Sequence, residues 1–123
     1  DVVDSMKIRA NKINLKFVGA NPLWKEVAAV TGKPTPRVEI FSFCDAPLVR
    51  EMLDYSLEFV IFMPCRIAVV EDARAQIWMV MLDWNPDWLE DAPDRLPETL
   101  RNSARKLRQD LEDIIQAGAR GDL

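Results

Sequence analysis

Val38-Glu39-Ile40-Phe41-Ser42-Phe43-Cys44-Asp45-Ala46-Pro47 is the stretch that decides the fold. Its first seven residues are an apolar, aromatic and β-branched run of strand length. Asp45 followed by Ala46-Pro47 is a helix start, an acidic cap with proline in the first turn. A second strand-like run, Met63-Pro64-Cys65-Arg66-Ile67-Ala68-Val69-Val70, opens on the chain's other cysteine. Antiparallel strands would bring the end of the first run and the start of the second to one sheet edge, with Cys44 near Cys65. Parallel strands would hold the two thiols apart.

Working outward, residues 2–10 read as the end of a helix with Val2, Val3, Met6 and Ala10 on one side. Ile13, Leu15 and Phe17 alternate with Asn14 and Lys16, which is strand periodicity with one buried face, broken at Gly19. Asn21-Pro22 predicts a helix start with Asn as cap, Leu23, Val27 and Val30 on one face, and Gly32 as the stop. Asp45 caps a helix to about Tyr55 with Leu48, Val49, Met52 and Leu53 inward. Residues 58–63 are apolar and read as another short strand. Residues 65–70 and 76–83 form a hairpin around Glu71-Asp72-Ala73-Arg74-Ala75. Residues 84–94 make an acidic loop containing Pro and Trp. Pro97 opens the strongest helix, with Leu100, Ala104, Leu107, Leu111 and Ile114 at helical spacing and Gly118 as its end. The order is αβαβα(β)ββα, which predicts an α+β fold with a mostly antiparallel sheet and helices packed on one face.

Length and composition limit the function. A chain of 123 residues that is 49% hydrophobic and 29% charged is expected to be one domain with a real core. The net charge of −4 and the lack of a basic stripe argue against nucleic acid. No apolar run reaches the ~20 residues of a membrane span. The chain contains no histidine. That excludes Ser-His-Asp and Cys-His machinery and imidazole-ligated zinc, and two cysteines are too few for a four-thiolate site. None of the four glycines lies in a phosphate-binding loop. No cofactor is indicated. The two cysteines fit a reducing or an oxidising compartment. The chain begins at Asp1 without an initiator methionine, which leans toward a removed leader and a periplasmic or membrane-associated location.

The candidate sites follow. Cys44 precedes a helix N-terminus, where the macrodipole favours a thiolate, and Arg66 adjoins Cys65 and could act likewise. The pair reads as a disulfide, a redox pair, a soft-metal site, or two small apolar core residues. Met52 and Met63 lie near them in sequence; thiolate and thioether ligands together select Cu(I), and methionine equally fills core gaps. Ile77, Met79 and Met81 form one face of their strand and Trp78, Val80 and Leu82 the other, so both faces are apolar. Phe41 and Phe43 share a face with Arg37 and Glu39. A sheet covered on one side does not need a two-sided apolar strand. The second face is therefore expected to be covered by another subunit, a ligand, or the loop carrying Trp84 and Trp88. Cys44, Asp45, Cys65, Arg66, Phe41, Phe43, Met79 and Met81 are the candidate ligand-binding or redox residues, with Cys44 and Cys65 as candidate metal ligands. Glu71-Asp72 reads as a polar hairpin tip. Asp83 and the acidic residues Asp87, Glu90, Asp91 and Asp94 read as a solvated loop. Arg120-Gly121-Asp122 matches an adhesion tripeptide that three residues produce readily by chance.

The segment from Phe43 to Glu71 resembles the bacterial family catalogued as domain of unknown function 302. The resemblance rests on Cys44-Asp45-Ala46 after one strand and Pro64-Cys65 before a later one, and it extends from about Asn21 to Leu111. It implies a TATA-binding-protein-like β-α-β4-α arrangement, with one strand expected before Asp1. Ala73-Arg74-Ala75 stands where the family often has a glycine after the Glu-Asp pair. The family has no settled activity, so the resemblance implies no reaction. Three functional readings stay open: a non-enzymatic module binding a small ligand or a protein partner; thiol redox or Cu(I)-type handling by Cys44 and Cys65; and a structural subunit of a larger assembly, including a homo-oligomer through the second sheet face. The lack of a catalytic base arrangement leans away from an enzyme.

Overall fold

The computed structural model describes residues 1–83 and 96–122. Among them the order is α1 (Val2–Lys12), β1 (Lys16–Asn21), α2 (Leu23–Thr31), β2 (Val38–Cys44), α3 (Ala46–Tyr55), a 3-10 helix (Leu57–Phe62), β3 (Cys65–Glu71), β4 (Ile77–Met81) and α4 (Glu98–Arg120). The strands form one antiparallel sheet in the order β1-β2-β3-β4. This is the α+β architecture expected from the sequence.

The register sorts the side chains onto two faces. Phe41 lies opposite Ile67, which lies opposite Met81; Phe17 lies opposite Phe43, which lies opposite Cys65. Because side chains alternate along a strand, these residues share one face. α1 and α4 cover that face: Met6 and Ala10 of α1, Phe41, Phe43, Ile67 and Val69 of the sheet, and Leu111 and Ile114 of α4 form the main core. β1 holds its place in this core through a bulge at Val18, which puts Gly19 opposite Ser42 and Ala20 opposite Phe41. Without the extra residue, Phe17 and Ala20 could not both lie opposite the phenylalanines of β2.

A smaller core forms beside the first. Leu48 and Met52 of α3 meet Leu96 and Leu100 at the start of α4, with Phe59 and Met63 against them. Leu107 packs against both cores and joins them.

Several elements differ from the sequence expectation. Residues 58–63 form the 3-10 helix rather than a strand: Ser56 and Met63 are extended at its two ends, and the turn carries the chain from α3 to β3. Asn21 is paired with Ile40 as the last residue of β1, so it cannot cap α2; Pro22 takes the cap position and makes no side-chain bond. The face of α2 with Leu23, Val27 and Val30 stays exposed. Gly118 does not end α4. It is buried within the helix, and a Cβ there would stand 2.7 Å from Met79 Sδ and 3.0 Å from Met6 Cγ. The helix stops at Gly121, whose φ of 68° is the left-handed cap conformation. The Arg-Gly-Asp tripeptide is thus the end of a helix: Asp122 accepts from Arg120 Nε at 3.0 Å, and its N–H donates to the Ala117 carbonyl. Arg9 of α1 reaches Asp113 and Asp122, tying α1 to the end of α4.

The β3–β4 hairpin is organised by Asp72. Its carboxylate accepts from the backbone N–H groups of Arg74 and Gln76 and from Trp78 Nε1 at 2.8 Å. These bonds hold the Asp72 pKa below its ordinary value, the Trp78 bond first. Ala75, the next-to-last loop residue, has φ of 62°, a conformation that an L side chain disfavours. Ala75→Gly is expected to raise stability by about 1 kcal/mol, read as a higher urea midpoint at unchanged slope. An unchanged or lower midpoint would show that the turn carries no conformational penalty.

Candidate functional site

The seam between the two cores is not filled. A cavity of about 440 Å³ lies there, bounded by Phe43, Cys44 and Cys65 at the joined ends of β2 and β3, by Leu48 and Met52 of α3, and by Phe59 and Phe62 of the 3-10 helix. Ala104 and Leu107 of α4 close the far side. The lining is almost wholly apolar. The polar groups on it are the two thiols, Asp45 and Asp83.

Each polar group is placed by the fold. Cys44 is the last residue of β2, and Cys65, the first residue of β3, lies opposite Phe43 in the antiparallel ladder. The two cysteines therefore reach the same end of the sheet, as antiparallel strands require, and both border the cavity, with Cys65 on the Phe43 face and Cys44, by strand alternation, on the Ser42 face. Both are free thiols. Asp45 caps α3 and accepts a hydrogen bond from the Leu48 N–H at 3.2 Å. Asp83 is held outward by Arg108, with N···O distances of 2.7 and 3.0 Å.

The electrostatics run against an activated Cys65. Burial pushes its thiol up to about 11, and the neighbouring charges of Cys44 and Asp45 add to the effect. Arg66 does not offset this: it is exposed, stands opposite Ser42, and points to the other face of the sheet. The helix-start argument for Cys44 is also weakened, because the Asp45 carboxylate already occupies the Leu48 amide.

The remaining sequence candidates divide between core and cavity. Phe41 and Phe43 are buried, and each ring packs against Phe17, with centroids at 6.3 and 5.9 Å. Phe43 also lines the cavity. Met79 and Met81 lie on the helix-covered face, against the main core. The open face instead presents Trp78 and Val80, 56% and 52% exposed, with Leu82 just beyond at 73%. The loop expected to cover it, with Trp84 and Trp88, lies outside the described residues. Phe59, Phe62, Ala104 and Leu107 also line the cavity, and local sequence does not mark them as site residues. Phe59 and Phe62 sit three apart, a spacing that shares a face only on a helical turn, so a strand reading of that run hides them. Among the described residues no group of three or more Cys, Asp or Glu is arranged to hold a metal ion. No helix among them is long and apolar enough to cross a membrane.

The raised Cys65 thiol has a consequence for stability. A neutral thiol favoured in the folded state stabilises fully below the ordinary value of 9.0 and loses that contribution as pH rises toward about 11. Between pH 8.5 and 11 the wild type is expected to lose roughly 2 kcal/mol more stability than Cys65→Ala, by urea unfolding under reducing conditions. Parallel pH profiles for the two proteins would show that Cys65 is not buried as a neutral group.

Comparison with known proteins adds the family. A search of curated protein sequences finds no match. Among solved structures, the crystal structure of an uncharacterized conserved DUF302 protein from Bacillus stearothermophilus superposes with a TM-score of 0.74. The alignment covers 94% of this chain and 87% of that one at 10% identity, which establishes a shared fold. The family model described as domain of unknown function DUF302 matches residues 1–118, so the chain belongs to the DUF302 family.

Proposed function

We propose that the domain is a non-enzymatic module that binds a small, largely apolar molecule in the cavity between α3, the 3-10 helix and α4. The observation that carries this reading is the cavity itself. Its volume of about 440 Å³ lies within the roughly 300–1,000 Å³ of small-molecule sites. Apolar walls supply affinity, and a few polar groups gathered at one end, here Cys44, Asp45 and Cys65, supply orientation. The absence of histidine from the chain and the raised Cys65 thiol favour binding over acid–base or nucleophilic chemistry.

Native and denaturing mass spectrometry of the purified protein tests this directly, together with titration by a neutral fluorescent naphthylamine. Wild type is expected to bind the naphthylamine saturably at one site. Ala104→Leu, which fills the cavity from α4, is expected to weaken it about tenfold, or ~1.4 kcal/mol, while the helical circular dichroism is kept. Saturable binding of equal strength in both proteins would place the site elsewhere, and no saturable binding would end the reading.

A second reading, a partner subunit or a homo-oligomer, is favoured by the open sheet face. Trp78 and Val80 stand more than half exposed on a five-residue strand that contains no charge and has β3 as its described neighbour. Uncharged edge strands invite pairing with another chain. Val80→Glu, rather than a change at the core-facing Met79, is the informative variant. If this face forms a dimer, sedimentation should show a wild-type dimer that Val80→Glu converts to monomer. A wild-type monomer at tens of micromolar would remove this reading.

A further inference from the structure

Charge is distributed unevenly around the cavity. Among the described residues that line it there is no Lys or Arg, and the charged groups are the carboxylates of Asp45 and Asp83. The Asp83 charge is matched, because Arg108 donates to both of its oxygens. Asp45 stands differently. Among the described residues it enters no ion pair, and its carboxylate accepts from the Leu48 N–H. Lys106 of α4, which lies within reach of the Asp45 field, pairs with Asp110 at 2.6 Å. The start of α3 would otherwise attract an anion, since helix N-termini present free N–H groups and a positive dipole end. Here the Leu48 N–H goes to the Asp45 carboxylate, the Val49 N–H goes to the Asp45 carbonyl, and Pro47 has none. This end of the cavity therefore offers a carboxylate in place of open amides. The Cys65 thiol, raised first by burial and further by the Cys44 and Asp45 charges, reports the same negative field inside the cavity.

We propose that the cavity selects an amphiphile with a cationic head, an alkyl- or arylammonium, whose charge is held by Asp45 and whose apolar body lies against Leu48, Met52, Phe59 and Leu107. The inference rests on the ligand-binding reading and adds the class of ligand to it. An ammonium beside a carboxylate makes a charge-assisted hydrogen bond, stronger than a bond between neutral groups. The apolar walls lower the local dielectric and strengthen that attraction. Three phenylalanines, Phe43, Phe59 and Phe62, line the cavity, and aromatic ring faces attract cations. The small, neutral Cys65 thiol serves as part of the apolar wall. A fatty acid meets the reverse arrangement. Its carboxylate would lie beside Asp45 with no cation among the described lining residues to receive it, and a desolvated, unpaired charge is costly.

The test displaces the bound naphthylamine from the reduced, full-length chain at neutral pH. The competitors are three amphiphiles of one chain length, dodecylammonium, dodecanol and dodecanoate, each kept below its micelle concentration. Dodecylammonium is expected to displace the probe at about tenfold lower concentration than dodecanol, with dodecanoate the weakest of the three. Asp45→Asn keeps a side-chain oxygen to cap α3 and removes the charge. It is expected to weaken dodecylammonium about tenfold and to leave the naphthylamine and dodecanol within about twofold, with the helical circular dichroism kept. Dodecanoate that competes as well as dodecylammonium on the wild type would overturn the proposal. So would an Asp45→Asn protein that binds dodecylammonium as tightly as the wild type. The wild-type ranking decides the matter by itself if the variant does not fold. Saturable naphthylamine binding displaced equally by all three amphiphiles ends the charge selectivity alone. No saturable naphthylamine binding ends the ligand-binding reading, and the selectivity with it.

Discussion

The antiparallel pairing of β2 with β3, in the register that sets Phe43 against Cys65, is the constraint on which the rest of the structure depends. Both strands are central, each flanked by a neighbour on its other side. A slip of one residue would turn Phe41, Phe43, Ile67 and Val69 away from α1 and α4 and empty the main core. The same register ends one strand on a cysteine where the other begins on one. The arrival of both cysteines at one end of the sheet is therefore a by-product of the pairing that forms the core.

Much of this arrangement is legible in the sequence because it depends on local chemistry. Asp45 with proline two residues on names the start of α3, the apolar and aromatic run Val38–Cys44 names β2, and the long period of Leu100, Ala104, Leu107, Leu111 and Ile114 names α4. The alternation of Ile13, Leu15 and Phe17, by contrast, reaches only the start of β1, which begins at Lys16 and runs through Gly19 to Asn21. What local chemistry does not show is the direction in which an apolar residue points when both faces of a strand are apolar. Met79 and Trp78 are equally plausible core residues on inspection, and the choice is made by α4, which approaches from far along the chain. The run Leu57–Phe62 illustrates a related difficulty. Its composition suits a strand, but its ends are fixed by α3 and β3, and the short span between them is bridged by two tight helical turns. The cavity is harder still to foresee. It arises because two cores meet at Leu107 without filling the space between them, a property of packing to which no single segment testifies.

The charges have a quieter role. Arg9 with Asp113 and Asp122, and Arg108 with Asp83, lie at least partly exposed, and such pairs contribute little stability each. Their value is positional. The first pair fixes how α1 meets the end of α4, and the second holds a carboxylate at the cavity's rim away from its apolar interior.

The buried glycine of α4 has a consequence for how this sequence can change. Because a Cβ at position 118 would meet the sulfur of Met79 at 2.7 Å and Met6 Cγ at 3.0 Å, any side chain there must displace these two methionines. A larger residue at 118 requires Met79 and Met6 to shift or shrink, so the helix and the edge strand are coupled in packing. Substitutions at positions 118 and 79 should be strongly non-additive, each harmful alone and less so in combination. A glycine that reads locally as a helix breaker is thus half of a two-residue packing unit, joining the last helix to the sheet across some forty positions of sequence.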